Sequence, residues 1–311
     1  MKIKPIRAEE LTGEDSPLQS LFWARAKSIL GWKPYAFEIN EEQRLLLLVR
    51  RIAPLFFFAY VPFGPSKPVD LSMLSEGLKQ AIDEPVFAIR YDLPFTDTAF
   101  ETGGLLSLSY SIQPERTVRI DLQKPPVYRK RALRALKKCE NRYTVRPYRG
   151  EPILFEQWYE TYRQTALRDR FHPRSKEYFF HLLSIDEDKM VKPILLLAFG
   201  QNEVVGGVLL IEGKKETIYL AGSSTRPNVG YLLQDGAIRR TKERGGELYD
   251  LFGISNQSGY LASLDLFKTA FGGEIVKREP SLDYPTRALR YRLFTALERH
   301  RYRFSRSLQQ G

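Results

Sequence analysis

The strongest constraint on this chain is an order of elements that occurs twice. Ser16–Leu30 carries apolar residues at helical spacing behind a Ser-Pro start and stops at Gly31. Strand-like runs follow at Tyr35–Ile39, Leu45–Val49 and Leu55–Val61, then a helical stretch from Leu71 to Ile82 and a strand at Val86–Tyr91. The second half repeats the series. Helices are expected over Phe155–Leu167 and Ser175–Leu183, strands at Pro193–Phe199, Val204–Ile211 and Thr217–Ala221, a helix from Tyr231 to Arg244 and a strand at Leu248–Phe252. No residue identity is visible between the halves, so the economical reading is a duplicated architecture of the α/β (α+β) class. A length of 311 residues also exceeds what one core usually spans. The expected domains are residues 1–148 and 149–279, with 280–311 packing back onto the first.

The net charge of +11 is concentrated in two segments. Residues 129–149 hold nine basic side chains against Glu140 alone, and 287–306 hold seven against Glu298, which leaves the rest of the chain net −3. In the first segment Arg131, Arg134 and Lys138 recur at helical spacing, with Leu133, Leu136 and Cys139 on another face. Such a helix is either a solvated surface or a contact for a polyanion, and counterion release favours nucleic acid as that partner. The second segment mixes arginine with Tyr291, Phe294, Tyr302 and Phe304, and either contacts RNA or docks on the fold.

Composition excludes several classes. One cysteine, Cys139, rules out an internal disulfide framework, and His172, His181 and His300 have no metal-ligand spacing, so neither a metal nor a cofactor is expected. The N-terminal MKIKPIRAEELTGED lacks an apolar core behind its basic residues, and the apolar stretch Leu45–Phe63 is broken by Arg50, Arg51 and Pro54. A cytoplasmic protein is expected.

The strand, loop, helix and strand from Thr217 to Phe252 read as the core of a GNAT-type acyltransferase. A CoA-using member normally carries a glycine-rich loop whose N–H groups cradle the pyrophosphate at the helix start. Arg226-Pro227-Asn228-Val229-Gly230-Tyr231 does not match that loop. Further motifs are Leu18-Gln19-Ser20, Trp23-Ala24-x-x-Lys27, Gly64-Pro65, Trp158-Tyr159 and Thr165-Ala166-x-Arg168. The densest are Tyr219-Leu220-Ala221-Gly222-Ser223-Ser224, Tyr249-Asp250-Leu251-Phe252-Gly253-Ile254 and Leu266-Phe267-Lys268-x-x-Phe271-Gly272-Gly273. Through these the chain resembles the FemABX family, aminoacyl-tRNA-dependent peptidyltransferases that build the interpeptide bridges of peptidoglycan. The resemblance implies two tandem GNAT-like domains, in agreement with the repeated element order, and since no sustained heptads occur it is to the shorter type without a coiled-coil arm.

The resemblance implies roles for particular residues. Lys268, with Phe267 before it, falls where the ester carbonyl is attacked, and a buried cation there would stabilise the tetrahedral oxyanion. Lys27, Arg174, Tyr178 and Tyr219 fall on positions that line the muropeptide site, with Arg174 and Tyr178 expected on one helical face. Arg and Lys suit a diphosphate, and Tyr offers a phenol beside an apolar ring. The implied partners are an aminoacyl-tRNA donor, tracked by Arg131, Arg134 and Lys138, and a UDP-linked or lipid-linked muropeptide acceptor, the latter entailing peripheral membrane contact. Asp250 ends an inferred strand, where it would either orient the attacking amine or, the favoured reading, serve a turn or helix cap. Two other readings stay open: an N-acyltransferase of GNAT fold with another activated donor, and a non-catalytic RNA-binding protein.

Overall fold

A computed structural model of the chain describes residues 1–96, 98–108, 111–254 and 260–298. The chain divides into two compact units, neither of them continuous in sequence. The first comprises Met1–Leu11, Leu30–Ile112 and the chain from Glu279 onward; the second comprises Thr12–Ile29 and Gln113–Arg278.

The first unit holds a seven-stranded sheet in the order β1 (Ile3–Ile6), β2 (Lys33–Ile39), β3 (Gln43–Ala53), β4 (Phe56–Pro62), β5 (Val86–Asp92), β14 (Leu282–Pro285) and β6 (Leu106–Ser107). Its helices are α2 (Leu71–Ala81), capped by the Asp70 carboxylate on the N–H groups of Ser72 and Met73, and α8 (288–298). Leu71, Leu74 and Leu78 of α2 join Leu45, Leu47 and Val49 of β3 in one apolar core.

In the second unit the sheet runs β8 (Thr144–Pro147), β9 (Lys192–Gly200), β10 (Glu203–Glu212), β11 (Glu216–Ser224), β12 (Leu248–Asp250), β7 (Arg116–Asp121) and β13 (Glu274–Lys277). Around it lie α1 (Leu21–Ser28), α3 (Lys130–Cys139), α4 (Pro152–Arg168), α5 (Lys176–Leu183), α6 (Val229–Glu243) and α7 (Tyr260–Lys268). Both sheets are antiparallel except at β4–β5 and β11–β12, so the two units share one topology. At 17 residues α4 is the longest described helix, and no coiled-coil arm occurs among the described residues. No described helix is long and apolar enough to cross a membrane.

Four expectations need correction. The boundary near 148 is too late, because β7 pairs with β12 and β13, and α3 packs on α6, which places 113–148 in the second unit. Residues 12–29 also belong there, since the N–H of Phe22 in α1 donates to Asp188 in the second unit at 2.8 Å. The repeat does carry residue identity. Tyr91-Asp92-Leu93 and Tyr249-Asp250-Leu251 occupy the same register, each aspartate closing the parallel pairing, opposite Pro62 in one unit and Ile218 in the other. Finally, the packed face of α3 is Ala132, Ala135 and Cys139, whereas Leu133 is exposed. Small residues let α3 approach α6 closely, an outcome that hydrophobicity alone does not indicate. Tyr302 and Phe304 lie outside the described residues.

Candidate active site

The site begins where β11 and β12 separate. Their parallel pairing covers Glu216–Leu248, Thr217–Tyr249 and Ile218–Asp250 and then stops, while β11 continues to Ser224 against β10. A bulge opposite Leu209 and Leu210 leaves Leu220 as the extra residue and bends β11 at this point. The result is a V-shaped opening in the sheet, with Tyr219 on one arm and the turn after Asp250 at the other.

That turn is built around two residues with positive φ, Phe252 at +48° and Gly253 at +86°. Gly253 is required twice over, since a Cβ there would lie 2.9 Å from Pro114 Cγ, in a backbone conformation that side chains disfavour. Asp250, fully buried, holds the turn. It accepts hydrogen bonds from the Phe252 N–H (2.7 Å), Thr117 Oγ1 (2.5 Å) and Arg119 Nε (3.0 Å), and Thr117 Oγ1 in turn accepts from the Gly253 N–H (3.2 Å). Arg119 also donates to Glu216 at 2.9 Å; burial pushes the Glu216 carboxyl up to about 7, Arg119 pulls it back and Asp250 adds to the rise. The expected turn role of Asp250 is therefore what the geometry displays.

Lys268 enters the opening from the end of α7. It is 6% exposed, and its ammonium donates to the carbonyl oxygens of Phe252 (2.8 Å) and Gly253 (2.5 Å), the two carbonyls that the turn presents. An ammonium has three N–H groups, and the third finds no acceptor among the described residues. Nζ lies 5.6 Å from the centroid of the Tyr219 ring. Burial lowers the lysine's pKa to about 8, with Asp250 and Asp265 opposing the shift. Phe267 does not face this opening. Its ring packs edge-to-face on Tyr231 (4.9 Å) and Phe271 (5.6 Å), and it lies 3.5 Å from where a side chain on Gly230 would begin. An aromatic ring thus covers the first turn of α6, where a CoA pyrophosphate would need open N–H groups.

Tyr219 leads to a second group of residues. The Gly222 position lacks a side chain where one would strike the Tyr219 hydroxyl at 2.3 Å, which leaves room for the ring. Tyr162 on α4 influences both Tyr219 and Tyr178, whose phenols are pushed upward mainly by burial. Tyr162 Oη accepts from the Arg174 N–H at 3.4 Å, and the Arg174 guanidinium lies 5.6 Å from the Tyr178 ring. Neither the Tyr178 nor the Tyr219 hydroxyl has a hydrogen-bond partner among the described residues. Tyr162 was not singled out from sequence, because on α4 it reads as a core aromatic; it is indeed packed on Trp158 (6.1 Å) and Phe179 (4.9 Å).

The remaining expected residues fall as follows. Arg174 precedes Ser175, the N-cap of α5, so it does not share a helical face with Tyr178; the chain entering the helix brings the two together instead. Lys27 lies at the end of α1 with its ammonium 4.4 Å from the Trp23 ring. Arg131, Arg134 and Lys138 are exposed on α3, and none forms an ion pair with a described residue.

Residues 195–299 match the FemAB family model. The whole chain superposes on a crystal structure of FemX with a TM-score of 0.80 at 16% identity, covering 94% of this chain and 99% of that one. It also superposes on L-PGS from Bacillus licheniformis (TM-score 0.56, 11% identity, 81% and 84% covered) and on a tandem GNAT protein from the clavulanic acid biosynthesis pathway (0.50, 11%, 91% and 98%). No curated protein sequence matches the chain. The structural likenesses establish the fold as two tandem GNAT-like units, and the FemAB match covers the strands and helix that carry Tyr219, Asp250 and Lys268. Residues 195–299 thus resemble the FemAB family in sequence, and the chain as a whole has the fold seen in FemX.

Proposed function

We propose that the second unit is an aminoacyl transferase, which moves an amino acid from an aminoacyl-tRNA to a side-chain amine of a peptidoglycan precursor. The FemAB match over residues 195–299 and the acyltransferase-type sheet support a transferase at the coarser level. The observation that carries the finer reading is the Lys268 ammonium, lodged where the sheet opens, with two N–H groups spent on backbone carbonyls and a third to offer.

In the reaction the acceptor's neutral amine bonds to the ester carbonyl carbon, and the third N–H of Lys268 donates to the oxygen that becomes negative. The C–O bond to the ribose then breaks, and the proton shed by the amine ends on the departing hydroxyl. Lys268 supplies charge rather than taking a proton, a role that suits a cation fixed before reaction begins. Arg174 offers a guanidinium without a carboxylate partner among the described residues, and Tyr178 and Tyr219 offer open hydroxyls, a set suited to an acceptor with a diphosphate and a peptide. The unpaired cations of α3 suit the donor's phosphate backbone.

The test is incubation of the purified protein with a mixture of charged tRNAs and a UDP-linked muropeptide, with products read by mass. One added aminoacyl residue that disappears after ribonuclease treatment supports the reading. Transfer from acyl-CoA, and none from charged tRNA, overturns it in favour of an N-acyltransferase. Arg174→Ala and Tyr178→Phe should weaken muropeptide binding more than turnover; unchanged dissociation constants in both would mean that the acceptor lies elsewhere.

A further inference from the structure

Helix α8 has apolar side chains on two faces, although its packing uses one. Tyr291 and Thr295 are buried on the inner face, Phe294 lies 5.5 Å from Phe58 and 4.9 Å from Phe87, and Glu298 holds the buried Arg90 at 2.9 Å. On the opposite face Leu289, Leu293 and Leu297 recur every four residues and stand 82%, 53% and 64% exposed. Arg290 of the same helix donates to the Leu55 carbonyl at 2.7 Å, which ties α8 to the tip of the β3–β4 hairpin. At that tip Ile52 and Leu55 are 48% and 65% exposed, next to the exposed Arg50 and Arg51.

Two elements of the first unit therefore expose large aliphatic side chains beside arginines. We propose that this face docks on an anionic membrane surface, the five aliphatic side chains entering the headgroup boundary and the arginines engaging acidic lipid headgroups. RNA would satisfy the arginines but not the leucines, which have no π face on which a base could stack. A second copy of the chain would cover the leucines but would bring Arg50, Arg51 and Arg290 of one copy against those of the other. Docking does not depend on the transferase reading; joined to it, docking would bring the enzyme to an acceptor carried on a lipid.

The experiment is sedimentation of the full chain with vesicles of phosphatidylcholine alone and with phosphatidylglycerol added, at low and high salt. Binding to the anionic vesicles, weakened by salt and reduced roughly tenfold by Leu289→Ser/Leu293→Ser/Leu297→Ser, is the expected result. Should that triple variant fold poorly, Ile52→Ser/Leu55→Ser reports on the same face from the hairpin and should also reduce binding. Any of the following overturns the proposal: failure to bind either vesicle, equal binding to both, binding insensitive to these substitutions, or a dimer by light scattering that the substitutions dissociate. Turnover with a soluble, nucleotide-linked muropeptide should be unchanged in the variants. Absence of that turnover in the unaltered protein would count against the proposed function and leave the docking result standing.

Discussion

The two units solve the same topological problem in opposite ways. In the second, β11 continues six residues beyond its last parallel partner and the sheet opens; in the first, β4 ends at Pro62, where its pairing with β5 also ends. The residue that follows the last pair is Tyr219 in one unit and Phe63 in the other. Tyr219 faces a lysine ammonium, whereas Phe63 is buried and meets Phe95 edge-on at 5.5 Å. The repeated Tyr-Asp-Leu carries the scaffold common to both: Tyr91 hydrogen-bonds Ser75 of α2 at 2.9 Å, and Tyr249 donates to Gln234 of α6 at 2.6 Å. Asp92 accepts from Tyr60 (2.6 Å) and Ser281, while Asp250 accepts from Thr117 and Arg119 and also from the turn that aims two carbonyls at Lys268. The same aspartate closes an apolar interior in one unit and holds the turn around a buried lysine in the other. Under the proposed function, the open sheet and its cation make the site, and the ring pair makes a core.

The sharpest way to break this contrast is to exchange its two ends. Lys268→Met should lower turnover at least about 100-fold with little change in acceptor affinity, since one oxyanion donor is worth roughly 2.7–4 kcal/mol in the transition state. Phe95→Leu, its counterpart in the first unit, should leave turnover within about twofold and lower only stability, by roughly 1 kcal/mol. Equal kinetic effects of the two variants would erase the distinction.

The turn comes next. Thr117→Val removes the hydroxyl that joins Asp250 to the Gly253 N–H, and should cost about tenfold in turnover, recovered by Thr117→Ser. Ser281→Ala removes the matching hydroxyl beside Asp92 and should cost about 1–3 kcal/mol in denaturant unfolding, with turnover per folded molecule unchanged.

Dependence on pH separates the units a third way. With its pKa lowered from 10.5 to about 8 by burial, Lys268 binds fewer protons in the folded chain than in the unfolded one between those values, so its contribution to stability rises with pH across that window. Turnover should move the other way and fall as pH rises through about 8, because the neutral amine cannot stabilise an oxyanion. A rate profile with no such limb, or one that persists in Lys268→Met, would remove the ammonium from the mechanism. The smallest expected effect lies on α3. Reversing Arg131, Arg134 and Lys138 to Glu should raise the Michaelis constant for charged tRNA several-fold and flatten its salt dependence, leaving muropeptide affinity unaltered.

Much of this was legible in sequence where the signal was local. The long strands β2 to β4 and β9 to β11, with their helices, follow from periodicity, and Lys268 and Tyr219 follow from motif resemblance. Strands β1, β6, β7, β8, β13 and β14 were missed because two to six residues are too few for alternation to stand out. Leu133 was assigned to the buried face of α3 because it is large and apolar, while the close approach to α6 depends on alanines that carry little hydrophobic signal. Tyr162 was missed because an aromatic on an amphipathic helix is usually core, and only folding brings its ring near both Tyr178 and Tyr219. The Tyr-Asp-Leu repeat is three residues long and becomes recognisable only once strand register aligns it.

Strand β14 has a bearing on how the molecule comes into being. It enters the first unit's sheet between β5 and β6, and it brings Asp283, which accepts from the buried Arg90 guanidinium at 2.7 and 2.9 Å; Glu298 of α8 supplies the other carboxylate. During synthesis, then, most of the first unit emerges early, yet it lacks Asp283 and Glu298, the carboxylates that hold Arg90, and keeps an unpaired β5 edge until β14 and α8 emerge. The second unit, complete at Arg278, can close before the first. A nascent chain stalled before Leu282 should therefore hold a folded second unit beside a protease-sensitive first one, a reversal of the usual order in which N-terminal domains fold first.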